Sequence, residues 1–99
     1  MTKAERAKIY DDAWFAYGPE KQLVVAIEEM SELQKEICKK LRTGRMDLSR
    51  ELVEEIADVQ IMLEQIILFY DVGQEVDAFV ESKVSRLERR LDAERDDTE

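Results

Sequence analysis

The sequence predicts an all-α protein, an antiparallel four-helix bundle-type protomer built around a central helical hairpin and assembling into a homo-oligomer. Three observations carry that expectation. The 99 residues hold 44% hydrophobic residues but only one proline and three glycines, which suits helices better than the turn-rich connections of a sheet protein. Apolar residues recur at three- and four-residue spacing along nearly the whole chain. The breaks in that periodicity fall at the glycines: Gly18-Pro19, Thr43-Gly44-Arg45-Met46-Asp47 and Gly73. A chain of this length suits one compact domain, residues 1–99.

The first helix opens with a capping box. The Thr2 hydroxyl and the Glu5 carboxylate, three residues apart, satisfy backbone donors at the start. It is expected to run to about Tyr17, with Ala7, Tyr10, Trp14 and Tyr17 as a stripe packed on the hairpin; stacking of Trp14, Phe15 or Tyr17 on a base is the minority alternative. Pro19 opens the second helix at the first helical position, where its missing N–H costs nothing.

The second helix is expected over Pro19 to Arg42, with Leu23, Ile27, Met30, Ile37 and Leu41 as its core stripe. Glu29, Glu32 and Glu36 lie on a neighbouring face bordered by Gln22, Ala26 and Leu33. The third is expected over Leu48 to about Asp71, capped by Asp47, with Leu52, Ile56, Val59, Leu63, Ile66 and Tyr70 as core. Beside that stripe run Glu51, Glu55, Asp58 and Met62. Val53, Ala57, Ile61 and Leu68 add a second apolar surface, which predicts cover by another copy of the chain.

Gly73 is expected to end the third helix as its C′ residue, with the fourth starting at Gln74 or Glu75. Val76, Val80, Val84, Leu87 and Leu91 form its buried stripe, flanked by Lys83, Arg86 and Arg90. Those cations suit phosphate oxygens or, equally, ion pairs with the surplus carboxylates. Beyond Asp92 no apolar anchor remains and fraying is expected.

The short central connection makes the second and third helices antiparallel neighbours. At 1.5 Å rise per residue, Glu32 and Asp58 each lie ~15 Å from the turn, Glu29 ~20 Å and Glu55 ~10 Å. Four carboxylates facing one gap within about two helical turns repel one another and raise one another's pKa unless a cation sits among them; otherwise the pattern is a solvated face. All-oxygen ligands favour Mg²⁺, with Mn²⁺ as a possible substitute. The chain contains no histidine, which removes histidine zinc sites, the Glu-x-x-His di-iron bundle and an imidazole base.

Net charge is −9, from 24 acidic and 15 basic residues, which argues against binding a nucleic-acid backbone but not a mononucleotide. The longest apolar run, Ile66 to Tyr70, is far too short for a membrane span, and no signal-like segment opens the sequence. The single cysteine, Cys38, cannot form an intrachain disulfide and has no histidine to activate it. A cytoplasmic location is the expectation.

Glu28-Glu29-Met30-Ser31-Glu32, followed by Glu55-Ile56-Ala57-Asp58, resembles the EExxE and ExxD signature of the MazG-like, all-α nucleoside triphosphate pyrophosphohydrolases, in particular their short, phage-type members. The likeness extends to Gln22, Leu33, Lys39 or Lys40, Lys83, Arg86 and Leu87. It implies Mg²⁺-dependent hydrolysis of a nucleoside triphosphate between its α and β phosphates, with Glu29, Glu32, Glu55 and Asp58 as metal ligands. It further implies Glu28 as the residue that positions or deprotonates water, Lys83 and Arg86 as phosphate contacts, and a homodimer or homotetramer. A dUTPase-like or phosphoribosyl-ATP pyrophosphohydrolase-like substrate is an alternative within the same fold. A non-catalytic helical assembly module is the alternative outside it, and no residue identifies a base.

Overall fold

A computed structural model describes residues 1–98 of the chain, and the side chains of residues 1–97. It is all-helical, with α1 Lys3–Tyr17, α2 Pro19–Thr43, α3 Arg50–Tyr70 and α4 Gly73–Thr98, and no strand among the described residues. No helix is long and apolar enough to cross a membrane.

The helix ends follow local chemistry. Thr2 and Glu5 form the expected capping box, the Glu5 amide donating to Thr2 Oγ1 at 3.0 Å and the Thr2 amide to Glu5 Oε1 at 3.3 Å. Gly18, at φ +89°, ends α1 and hands the chain to Pro19 at the start of α2. Gly44 closes α2 in the left-handed conformation, its amide donating to the Lys40 carbonyl at 2.9 Å.

Two caps differ from expectation. Ser49 rather than Asp47 caps α3, its hydroxyl accepting from the Leu52 amide at 3.3 Å, while Asp47 stays in the loop with its carbonyl bonded by Lys40. The left-handed residue after α3 is Asp71, at φ 54°, with Gly73 already inside α4. Aspartate is one of the few side chains that enters this region at modest cost. The fourth helix also continues past Asp92, where the Arg95 guanidinium lies 3.7 Å from its carboxylate, and runs on to Thr98.

Packing is mainly α2 against α3, with α1 laid across both and α4 touching only α3. The molecule is elongated, 57 × 36 × 26 Å, with a radius of gyration of 17.6 Å. A compact chain of about 100 residues has a radius near 13 Å, so α4 projects from the rest and the single chain does not close into a bundle.

The buried seam of the hairpin is not the stripe that hydropathy selects. Gln22 and Ala26 on α2 face Met62 and Gln65 on α3, all at most 6% exposed. Ile27, Ile37 and Leu41 of α2, and Ile56, Leu63 and Tyr70 of α3, expected in the core, are exposed instead. The stripe on α4 is exposed likewise at Val80, Val84, Leu87 and Leu91, together with Phe79. Ala26 explains the choice of seam. A methyl side chain lets two helices approach closely, and the flanking amides bond to each other across the gap.

Helix α1 is anchored at two points. Trp14 is buried, stacks on Phe69 with ring centroids 4.2 Å apart, and donates from Nε1 to Gln65 Oε1 at 2.7 Å. The same oxygen accepts from Gln22 Nε2 at 2.9 Å, so one amide joins three helices. Nearer the N-terminus, Arg6 Nη1 and the Tyr10 hydroxyl donate to Glu64 Oε1 at 3.1 and 3.2 Å. Tyr17, the last residue of the expected stripe, is exposed beneath the Lys21 ammonium, and Phe15 is fully open to solvent.

Candidate functional site

On α2 the seam continues from Gln22 and Ala26 through Glu29 to Glu36, and on α3 it runs back from Gln65 and Met62 through Asp58 to Glu55. At spacings of three and four these residues share one helix face, so carboxylates occupy the half of the seam nearer the turn. Glu29, Glu55 and Asp58 each offer one oxygen, and the three oxygens lie within 4.8 Å of one another. Glu29, Glu55 and Glu36 are half-buried. Glu55 Oε2 is out of reach of solvent and has no hydrogen-bond partner.

The electrostatics follow from that crowding. Burial pushes the Glu29 carboxyl above its ordinary value, and the charges of Asp58 and Glu55, a hydrogen bond with Asp58 and the charge of Glu32 add to the shift. The Glu55 carboxyl is raised by burial, then by Asp58, Glu32, Glu36 and Glu54. No cation among the described residues pairs with any of the three, although basic side chains bridge other acids at Arg6–Glu64, Lys8–Asp12 and Arg50–Glu54. A carboxylate oxygen buried without a donor is costly, and a bound cation is one way to satisfy it. Three hard oxygen atoms gathered in this way could hold a hard divalent cation such as Mg²⁺ or Mn²⁺ after small side-chain adjustments.

The structure brings three of the four expected ligands together. Glu32 is exposed and outside the close trio, although its charge acts on both Glu29 and Glu55. Glu28 is also exposed, one residue and about 100° around the helix from Glu29. Lys83 and Arg86 are exposed on α4, which makes no contact with α2 within the chain, so a single copy does not bring them to Glu29. Cys38 is exposed on α2.

The seam amides, which hydropathy reasoning passes over, hold the helices together beside the trio. Gln22 and Gln65 each lie seven residues from a carboxylate of the trio, about two helical turns or 10 Å along the seam. Their signal in the sequence was their place on the acidic face rather than on the apolar one. Compared with protein-family models, with curated proteins and with solved structures, the chain finds no match.

Proposed function

We propose that the chain is a divalent-cation-dependent hydrolase of nucleoside triphosphates, cleaving between the α and β phosphates to release a nucleoside monophosphate and pyrophosphate. The observation that carries this reading is the trio Glu29, Glu55 and Asp58, contributed by two antiparallel helices, with one Glu55 oxygen buried and unpartnered. The choice of reaction and of scissile bond rests on the resemblance of Glu28-Glu29-Met30-Ser31-Glu32 and Glu55-Ile56-Ala57-Asp58 to the MazG-like signature.

In this reading Glu29, Glu55 and Asp58 would hold Mg²⁺, and Glu32, whose charge acts on Glu29 and Glu55, would add to the field around it. The ion, when bound, neutralises the triphosphate and stabilises charge that develops on the departing pyrophosphate. Glu28 accepts a proton from the attacking water, a role a carboxylate fills in a chain without histidine. Lys83 and Arg86 bond phosphate oxygens, and with α4 projecting away from α2 they act on the site of a neighbouring copy.

Assembly is the second half of the proposal. The aliphatic stripes of α2, α3 and α4 are exposed together, with Leu41 at 67% and Ile27 at 63%, and the chain is too elongated to cover them itself. A homodimer or homotetramer that packs these stripes completes the four-helix bundle. The same exposure also favours a non-catalytic assembly module, and activity separates the two.

The deciding assay incubates the protein with canonical and modified nucleoside triphosphates plus Mg²⁺ and measures pyrophosphate against orthophosphate. Pyrophosphate release, abolished by EDTA and by Asp58→Asn, is the expected result. Release of orthophosphate alone contradicts cleavage at the α–β bond, and no release from any triphosphate leaves the assembly module.

A further inference from the structure

Beyond the carboxylate trio, toward the closed end of the hairpin, lies a cavity of about 520 Å³ lined by Glu36, Lys39, Lys40, Thr43, Arg45, Asp47 and Ser49. Three of its seven lining residues are cations, in a chain of net charge −9. None of the three forms an ion pair with a carboxylate among the described residues, although acids outnumber bases and pair with Arg6, Lys8 and Arg50 elsewhere. Lys40 donates instead to the Asp47 carbonyl, which holds the loop around the cavity. Ser49, the N-cap of α3, also lines the wall, so the positive end of that helix contributes to the field.

Position links this cavity to the trio. Glu36 forms one edge of it, on the α2 face that carries Glu29 seven residues earlier, about 10 Å along the helix. Lys39 and Lys40 follow Glu36 by three and four residues, within about 6 Å along the helix axis. Gathered cations without carboxylate partners, open to solvent on one side and near the candidate cation site on the other, match a bound polyanion with oxygens at both ends.

We propose that Lys39, Lys40 and Arg45 form a polyphosphate subsite that takes inorganic pyrophosphate; as the place of the leaving group it rests on the hydrolase reading, but binding of pyrophosphate there does not. Ammonium and guanidinium groups donate charge-assisted hydrogen bonds to phosphate oxygens, and the Arg45 fork can bond two of them at once. Glu36 and Asp47 oppose the anion. Glu36 therefore weakens binding in the absence of a divalent ion.

The test is calorimetric titration of inorganic pyrophosphate into the whole protein in EDTA at low salt, with circular dichroism of each variant to verify its fold. Wild type is expected to bind, and Lys39→Gln and Arg45→Gln each to weaken binding about tenfold, the loss of one charged hydrogen bond. Lys8→Gln, which removes an equal charge from α1, is expected to leave binding unchanged, and Glu36→Gln to tighten it. No binding by wild type, or an equal loss in Lys8→Gln, overturns the subsite. Wild type that binds pyrophosphate here yet releases none from triphosphates loses the hydrolase reading and keeps the subsite. Hydrolysis with pyrophosphate binding indifferent to Lys39 and Arg45 does the reverse.

Discussion

Replacing Glu29 by glutamine tests the trio more directly than any loss of activity, because the metal-free protein is expected to become more stable. Glu29 and Asp58 present oxygens no more than 4.8 Å apart. Two unit charges at that distance repel by about 3.5 kcal/mol at an effective dielectric of 20 and by about 0.9 kcal/mol in bulk water. The groove opens to solvent on one side, so the lower end applies, about 1 kcal/mol, or a rise in Tm of about 4–8 °C for a chain of this size.

The gain depends on pH. Burial raises the folded-state pKa of Glu29 above its ordinary value of 4.5, and the neighbouring charges add to it. A carboxyl raised on folding holds its proton more tightly in the folded chain. The contribution of Glu29 to stability is therefore full below pH 4.5 and declines as pH rises through the folded value. The advantage of Glu29→Gln is expected at pH 8 and to vanish near pH 4.

If the trio holds a cation as proposed, Mg²⁺ is expected to invert the order. At a hundredfold excess over its dissociation constant a ligand stabilises by about 2.7 kcal/mol, and only the wild type receives that in full. The assay is thermal unfolding at fixed protein concentration, in EDTA and in Mg²⁺. A Glu29→Gln protein no more stable than wild type in EDTA at pH 8, or one with the full Mg²⁺ response, refutes the reasoning.

Gln65→Leu leaves the Trp14 indole N–H and the Gln22 amide without their shared acceptor; urea unfolding followed by tryptophan fluorescence is expected to show a loss of about 2–4 kcal/mol. Burial alone raises the Glu64 carboxyl, but hydrogen bonds from Arg6, Gln60 and Tyr10 outweigh it and hold the group below its ordinary value. Stability from that anchor is present above pH 4.5 and lost as pH falls through the folded value, so Glu64→Gln is expected to destabilise at pH 7 and much less near pH 3 in acid titrations. Leu87→Glu puts a charge in the exposed stripe of α4 and is expected to lower the sedimentation coefficient toward that of a single chain; an unchanged value argues against assembly through α4.

Local signals in the sequence were legible where one residue decides the backbone. Thr2 with Glu5, Gly18 with Pro19, and Gly44 all act as short-range chemistry dictates. The α3 cap and the turn after α3 depart from the expected Asp47 and Gly73. Asp47 and Ser49 are both good caps, and a bond from Lys40, seven residues earlier, keeps Asp47 in the loop. Asp71 and Gly73 both tolerate a left-handed turn, and the chain turns at the first of them.

Spacing and a short loop placed four carboxylates in one stretch of the hairpin, but axial rise alone set Glu32 level with Asp58, whereas the structure gathers Glu29, Glu55 and Asp58 and leaves Glu32 exposed. The seam was less legible. Hydropathy ranks Ile27 and Ile56 above Gln22 and Gln65, but it does not record that Ala26 permits close approach or that amides satisfy each other. The single chain buries what fits together, and the greasiest residues are left outside.

That inversion separates two tasks on the same pair of rods. The inward faces carry amides and acids, which in the proposed function set what is bound, while the outward faces carry exposed aliphatic side chains, which in the proposed assembly hold the copies together. Ligand preference can therefore drift through substitutions at the seam without touching subunit adhesion. If the chain assembles and acts as proposed, dilution is expected to silence it by parting the copies while every inward side chain keeps its place.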